Sequence, residues 1–222
     1  MQIIDQSVEV IWPSTPEEGI TELKHIELAG RNCWRSEGRI TEDSYKGFIE
    51  NLIKRGHGSP IEFGHVILKL VTSRDVLAEL TRHRIASFAV ESQRYVYEAG
   101  SDGVRFIRPM FWLAPDTAHD DAPNEILRAE ATVCWTEMME ACEKYYIHMI
   151  NIGVKNQDAR KVLPNSTACT IMMKVNLREL RHIYDLRSSP AAYPEMRELM
   201  RLMKIEVDKV LPGFLPEKEE ES

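Results

Sequence analysis

The stretch RHRIASFAVESQRY, Arg82 to Tyr95, concentrates side chains able to hold an anion. Arg82, His83 and Arg84 stand in a row, an apolar run with Ile85, Phe88 and Val90 follows, and Ser92 and Arg94 come two apart. An arginine guanidinium is a planar fork of donors matched to phosphate, and a serine hydroxyl with backbone N–H groups completes such a cradle. Alone, RHR at the end of a helix reads as a basic C-terminus complementing the helix dipole. Successive helical residues project about 100° apart, so the three cannot all serve one salt bridge. Ser92 and Arg94 share a face if the segment carrying them is extended, which shifts the reading toward a phosphate site.

Three further segments carry related chemistry. In VNLRELRHIYDLRS, Arg178 and His182 lie one turn apart, with Asn176 at the amino end and Arg187 at the carboxyl end. Taken alone, this segment is also a solvated charged helix with Arg–Glu pairs. In DARKVLPNS, Arg160 precedes a proline-terminated turn, and HGSPIE reads as a turn into a strand with Ser59 able to hydrogen-bond.

Around these segments the chain is acidic, with 28 Lys and Arg against 35 Asp and Glu and a formal net charge of -7. A nucleic-acid binder usually shows a broad basic face, so phosphate recognition here must be local and no nucleic-acid partner is expected. The four cysteines, Cys33, Cys134, Cys142 and Cys169, form no CxxC pair and have no histidine at ligand spacing, so no metal is expected. No apolar run approaches the ~18 residues of a membrane span, and the start MQIIDQSVEVIW lacks the basic n-region of a signal peptide. These features point to the cytoplasm and to no membrane partner.

The positioning elements follow from periodicity. IIDQSVEVIW reads as one strand, and Thr15-Pro16-Glu17-Glu18 supplies a cap, a proline and a glutamate that start a helix running to about Cys33. A second helix follows Thr41 and stops at Gly56. HVILKLVTS reads as a buried strand, after which Ser73 caps a helix whose end delivers Arg82-His83-Arg84. From Asp121 to Ile152 a helix repeats Leu127, Cys134, Met138, Cys142, Tyr145 and Met149, a stripe for the core or a subunit interface, with Cys134 and Cys142 read as core. TACTIMMKV alternates Cys169, Ile171, Met173 and Val175 on one strand face, Asn176 with Glu179 starts a helix, and a last helix runs from Pro194 to about Val210. The expected fold is α/β (α+β), a mixed sheet with long helices, in one domain over residues 1–215 followed by an acidic tail at 216–222.

RHR, seven residues, Ser92, one residue and Arg94 match the RHR-x7-S-x-R signature, and on this the sequence resembles the flavin-dependent thymidylate synthases. GRNCW at Gly30 to Trp34, HGSPIE, and LPNSTACTIMMKVNLRELRHIYDLR are similar to further blocks of that family, in its order and across most of residues 25 to 190. Val90, Phe63 and Ala191 stand where the family commonly has a polar residue or histidine, and Glu79 replaces a glutamine found in some members. The resemblance implies a thymidylate synthase-complementing fold assembled as a homotetramer with sites between subunits. It also implies methylation of dUMP to dTMP, using 5,10-methylenetetrahydrofolate as carbon donor and NADPH-reduced FAD.

Carried over by position, FAD falls to Ser59, Arg82, His83, Arg84, Val90, Asn176, Leu177, Arg178 and His182. The nucleotide falls to Glu79, Leu80, Thr81, Arg82, Glu91, Ser92, Gln93 and Arg94, with Arg160 toward its phosphate. Arg187 is placed catalytically at the uracil edge. A non-catalytic FAD- or nucleotide-binding regulatory protein is the alternative. A single-strand RNA module stacking bases on Tyr95 or Tyr97 is a further one, disfavoured by the acidic balance.

Overall fold

The computed structural model describes residues 1–110 and 125–217. At its centre β3 (His65–Ser73) pairs antiparallel with β6 (Ala168–Asn176), in register from His65 opposite Asn176 to Ser73 opposite Ala168. β2 (Ser7–Trp12) lies outside β3 and β4 (Ala86–Val90) outside β6, giving a four-stranded antiparallel sheet in the order β2-β3-β6-β4. A separate two-stranded sheet joins β1 (Gln2–Ile4) in parallel with β5 (Arg105–Ile107). Antiparallel and parallel pairings therefore both occur, in different sheets, within an α+β fold.

The segment expected as one strand breaks at Asp5 and Gln6 because its halves serve different sheets. Gln6 itself turns inward, accepting from the Thr72 hydroxyl at 2.6 Å and donating to the Glu195 carbonyl at 2.9 Å.

Alternation decides what β3 and β6 bury. Val66, Leu68 and Leu70 on one strand and Cys169, Ile171, Met173 and Val175 on the other are sealed from solvent. They join one core with α1 (Pro16–Cys33), α2 (Ser44–Lys54), α6 (Leu177–Arg187) and α7 (Pro194–Asp208), through residues such as Ile26, Leu52, Leu180 and Met203. The helix starts obey the capping signals. Thr15 accepts from the Glu18 amide at 3.3 Å with Pro16 leading α1, and Asn176 accepts from the Glu179 amide at 2.8 Å to open α6.

The long helix α4 (Glu125–Asn151) departs from expectation on its exposed side; its expected first residues, 121–124, lie outside the described ones. Leu127, Cys134, Met138 and Tyr145 face solvent in the single chain, Met138 at 58% and Tyr145 at 57%, and Cys142 is half-buried. The residues that α4 buries are Met139 and Tyr146, one position further on, against Ala99, Val104, Phe106 and Ala159. Cys134 is therefore not core. The helix has two apolar faces, and periodicity cannot say which one its own chain covers.

Candidate active site

β3 ends at Ser73 and α3 (Arg74–Leu80) starts at once, so the central sheet sets the position of this short helix. Ser73 does not cap α3 with its side chain. Its hydroxyl donates to the Asp75 carboxylate and lies 3.1 Å from Glu195 Oε2. α3 stops at Leu80, and Arg82-His83-Arg84 falls on the turn into β4 rather than on the helix as expected. The chain closes that turn with amide bonds from Arg82 to Glu79 at 3.2 Å and from His83 to Leu80 at 3.1 Å. The side chains still fan apart: Arg82 and Arg84 point to solvent while His83 is buried.

His83 belongs to a hydrogen-bonded chain that ends on Arg187, the last residue of α6. Arg187 Nε donates to His83 Nε2 at 3.0 Å, Nη1 donates to Glu79 Oε2 at 2.7 Å, and Nη2 donates to the Glu79 carbonyl at 3.0 Å. On its other side His83 Nδ1 lies 3.4 Å from Glu179 Oε1. Burial first, and then the Arg187 guanidinium, hold the His83 pKa below its ordinary 6.5 against the opposing pull of Glu179. His182 stands at right angles to it with ring centroids 6.0 Å apart. His83, Glu179 and His182 present ligand-type atoms within 4.8 Å of one another, but both His83 nitrogens are committed to Glu179 and Arg187. This is a hydrogen-bonded cluster rather than a ligand set.

At the far end of β4 the chain turns again. The Tyr95 and Val96 amides bond back to the Ser92 carbonyl at 3.1 and 3.0 Å, so Ser92 and Arg94 sit in a turn, and the condition of an extended segment that would put them on one face is not met. The Arg94 amide approaches the Ser92 hydroxyl at 3.4 Å, and its guanidinium lies over the Tyr95 ring. Glu91 points the other way: its carboxylate takes Arg105 at 2.9 Å and the Thr170 amide at 3.2 Å. Gln93 and Val90 are half-buried. Arg160 follows α5 (Asn156–Ala159), whose Asn156 side chain approaches the Tyr95 carbonyl at 3.5 Å, so Arg160 and Arg94 share a neighbourhood.

A third group surrounds Ser59, which lines a cavity of about 610 Å³ together with Asn32, Cys33, Leu28, Phe63 and Glu37. Gly58, beside it, lies so close to Arg178 that a Cβ there would stand 2.6 Å from the guanidinium Nε. Arg178 pairs with Glu62 at 2.7 Å, both well exposed, an ion pair of the weak and easily exchanged kind. Leu80 and Leu177 are fully buried and Thr81 bonds its own helix at Leu77, so these three reach a ligand through backbone alone or not at all.

The structure thus brings Glu79, His83, Asn176, Arg178, His182 and Arg187 to the α3–α6 end of the sheet, and places Ser92, Gln93, Arg94 and Arg160 away from them. β4 separates the two groups by five residues, roughly 16 Å at 3.3 Å each. Glu179 and Glu62 were not foreseen as partners of these cations. Glu179 drew notice only as a capping residue, and its second use has no local signal.

The molecule is an α+β protein whose antiparallel sheet carries outward arginines on its connecting turns, cations of the kind suited to anions. The family it belongs to follows from comparison: a family model described as thymidylate synthase complementing protein matches residues 20–213, and the chain is a member of that family. Flavin-dependent thymidylate synthases from Halobacterium salinarum and Pyrococcus furiosus are 31% and 30% identical to it. The first match covers 73% of this chain and 70% of the relative, the second 90% and 78%. The fold is also that of a UMP/dUMP methylase, PolB from Streptomyces cacaoi, crystallised with 5-Br dUMP. The TM-score is 0.78 at 24% identity, over 96% of this chain and 95% of that one.

Proposed function

We propose that the chain is a flavin-dependent thymidylate synthase, methylating dUMP to dTMP with 5,10-methylenetetrahydrofolate as carbon donor and NADPH as reductant, through FAD. Residues 1–215 serve as its single domain, acting in the cytoplasm, where its free cysteines stay reduced. The observation that carries this reading is Arg187. Within a family whose relatives bear that name, it places a largely buried guanidinium at the mouth of the α3–α6 cluster, its orientation set by three hydrogen bonds.

Making thymidylate requires C5 of uracil to become electron-rich. Arg187 against N3 and an adjoining carbonyl stabilises the anion that results, an effect of about 2.7–4 kcal/mol for one well-placed donor. No enzymic thiolate is needed. Burial pushes the Cys169 thiol up to about 11 and raises Cys142 as well, and neither is presented to the cluster. Ser92 and Gln93 border the nucleotide, Arg94 and Arg160 take its phosphate, and Glu91, its carboxylate held by Arg105 and the Thr170 amide, anchors that turn to the sheet.

The residues present fit FAD. The exposed cations Arg82, Arg84 and Arg178 suit a pyrophosphate, the missing Cβ of Gly58 lets the Arg178 guanidinium lie against the backbone beside Ser59, and Leu28 and Phe63 give the cavity beside Ser59 apolar walls. Asn176, Leu177 and His182 border the same side. When bound, FAD supplies the reducing equivalents for the final hydride, and the protein's part is to hold it and exclude water.

The separation of the two arginine groups across β4 supports a homotetramer in which one copy contributes the Arg187 side of a site and another the Arg94 side. The uncovered face of α4 offers surface for that assembly. The decisive assay follows dTMP formation by purified protein given dUMP, methylenetetrahydrofolate, NADPH and FAD. A flavin-loaded, folded protein that forms no dTMP overturns the reading.

A further inference from the structure

Arg187 is usually the kind of side chain whose position is left to its ligand. Here three separate groups fix it before any ligand arrives. A guanidinium carries five N–H donors and no acceptor. One donor on each of Nε, Nη1 and Nη2 is used, by His83, by the Glu79 carboxylate and by the Glu79 carbonyl. One N–H remains on Nη1 and one on Nη2, which is the two-pronged face that a planar acceptor pair requires.

The same count settles the state of His83. Arg187 Nε can only donate, so His83 Nε2 must accept and carries no proton. The imidazole proton is then on Nδ1, directed at Glu179 Oε1 3.4 Å away. We propose that His83 and Glu79 are positioning residues for Arg187. His83, as its Nδ1–H tautomer braced by Glu179, fixes the guanidinium with its two remaining N–H groups aimed at the uracil, and protonation of His83 releases it. The role assigned to uracil rests on the function proposed above, whereas the clamp itself does not.

The charges facing His83 agree. From α6 come Glu179, which favours its protonation, and Arg187 and His182, which oppose it; from α3, Glu79 acts through Arg187. Burial and Arg187 prevail, so the neutral form persists to a pH below the ordinary 6.5. Once protonated, Nε2 would present an N–H to a cation that can only donate, and the clamp opens on the acid side.

Two measurements test this. Protein labelled with ¹⁵N-histidine, with the His83 signal identified by its loss in His83→Gln, should show His83 at pH 7.5 as the neutral Nδ1–H tautomer, titrating below 6.5. In Arg187→Ala, where Nε2 loses its donor and the opposing guanidinium charge is gone, the Nε2 resonance should move and the titration should rise to higher pH. An Nε2–H tautomer, or a His83 signal indifferent to Arg187, overturns the proposal whether or not the protein makes dTMP. The second measurement is kcat and KM for dUMP across pH, with FAD content checked in each preparation. His83→Leu, which cannot accept from Arg187, should lose about 10- to 100-fold in kcat/KM, the scale expected of a guanidinium displaced by about 1 Å. His83→Gln, which keeps an acceptor but cannot titrate, should exceed the leucine variant and lack the acid limb of the wild type. A flavin-loaded leucine variant equal to wild type, or a glutamine variant no better than leucine with the acid limb intact, refutes the clamp. Wild-type protein without dTMP formation refutes the proposed function instead, and the first measurement then decides the clamp alone.

Discussion

Replacing Glu195 by glutamine removes a carboxyl whose ionisation this fold resists. Glu195 is buried at the start of α7, and its Oε2 lies 3.1 Å from the Ser73 hydroxyl, which itself donates to Asp75. Asp75 already receives the Val76 amide at 2.9 Å and the Tyr193 hydroxyl at 3.2 Å. One hydroxyl hydrogen cannot serve two carboxylates, so the arrangement is complete only when Glu195 carries a proton and donates to Ser73. Burial, then the Asp75 charge, push Glu195 from its ordinary 4.5 up to about 7.

The folded state binds that proton more tightly than the unfolded chain, so stability is greatest below about 4.5 as far as this group is concerned. It falls as pH rises and levels off above about 7. At 1.36 kcal/mol per pK unit, the interval from 4.5 to about 7 corresponds to about 3 kcal/mol lost by pH 8. Glu195→Gln mimics the protonated side chain. Urea denaturation at pH 5.5 and pH 8 should show the variant gaining on the wild type by about 2 kcal/mol or more between the two conditions, in proportion to the ionisation completed over that range. A variant that tracks the wild type at both pH values, or loses ground as pH rises, refutes the assignment of the cluster's proton.

Arg187→Ala should lower dTMP formation at saturating dUMP by about 100-fold or more, with FAD still bound and still reduced by NADPH, and Arg187→Lys should recover little because an ammonium cannot reproduce the fork. Arg94→Ala, at an exposed turn and assigned to a phosphate that does not react, should chiefly raise KM for dUMP, so that saturating nucleotide restores most of the rate. Replacing Cys33, Cys134 or Cys142 singly by alanine should leave dTMP formation measurable in every variant that folds; its complete loss in one of them would reveal a thiol in the chemistry. Gly19→Ala should destabilise by about 1–3 kcal/mol or more, read by thermal denaturation, because a Cβ there would meet the Val210 carbonyl oxygen at 1.9 Å, where backbone must move to admit it.

What the sequence disclosed follows the range of the forces involved. Thr15-Pro16, Asn176 with Glu179, and the alternation from Cys169 to Val175 are local signals, and α1, α6 and β6 appear where they point. The RHR turn was misplaced onto a helix because nothing local marks Leu80 as its end. The polar contacts that fix the site, Glu79 with Arg187, Glu179 with His83 and Glu91 with Arg105, link residues 108, 96 and 14 positions apart or come from different elements. Composition identifies the charges but not their partners. The face of α4 shows the same limit in apolar form: Met138 and Met139 are equally hydrophobic, and only the packing of β5 tells which one turns inward.

The β3–β6 ladder has a consequence for how such a chain comes to be folded. Its pairs join residues from His65 with Asn176 to Ser73 with Ala168, about a hundred positions apart, so closing it carries a large loop entropy and marks the fold as one of high contact order. On a ribosome, β2 and β3 emerge as an open hairpin-like edge, with Val66, Leu68 and Leu70 awaiting a strand not yet synthesised. Until β6 arrives, that edge is a template for the wrong partner. Glu79 and His83 follow β3 closely, whereas Arg187 comes only after β6. Recovery of the Arg187 environment on refolding should therefore lag behind formation of the amino-terminal helices, and a fragment ending before Asn176 should aggregate rather than fold.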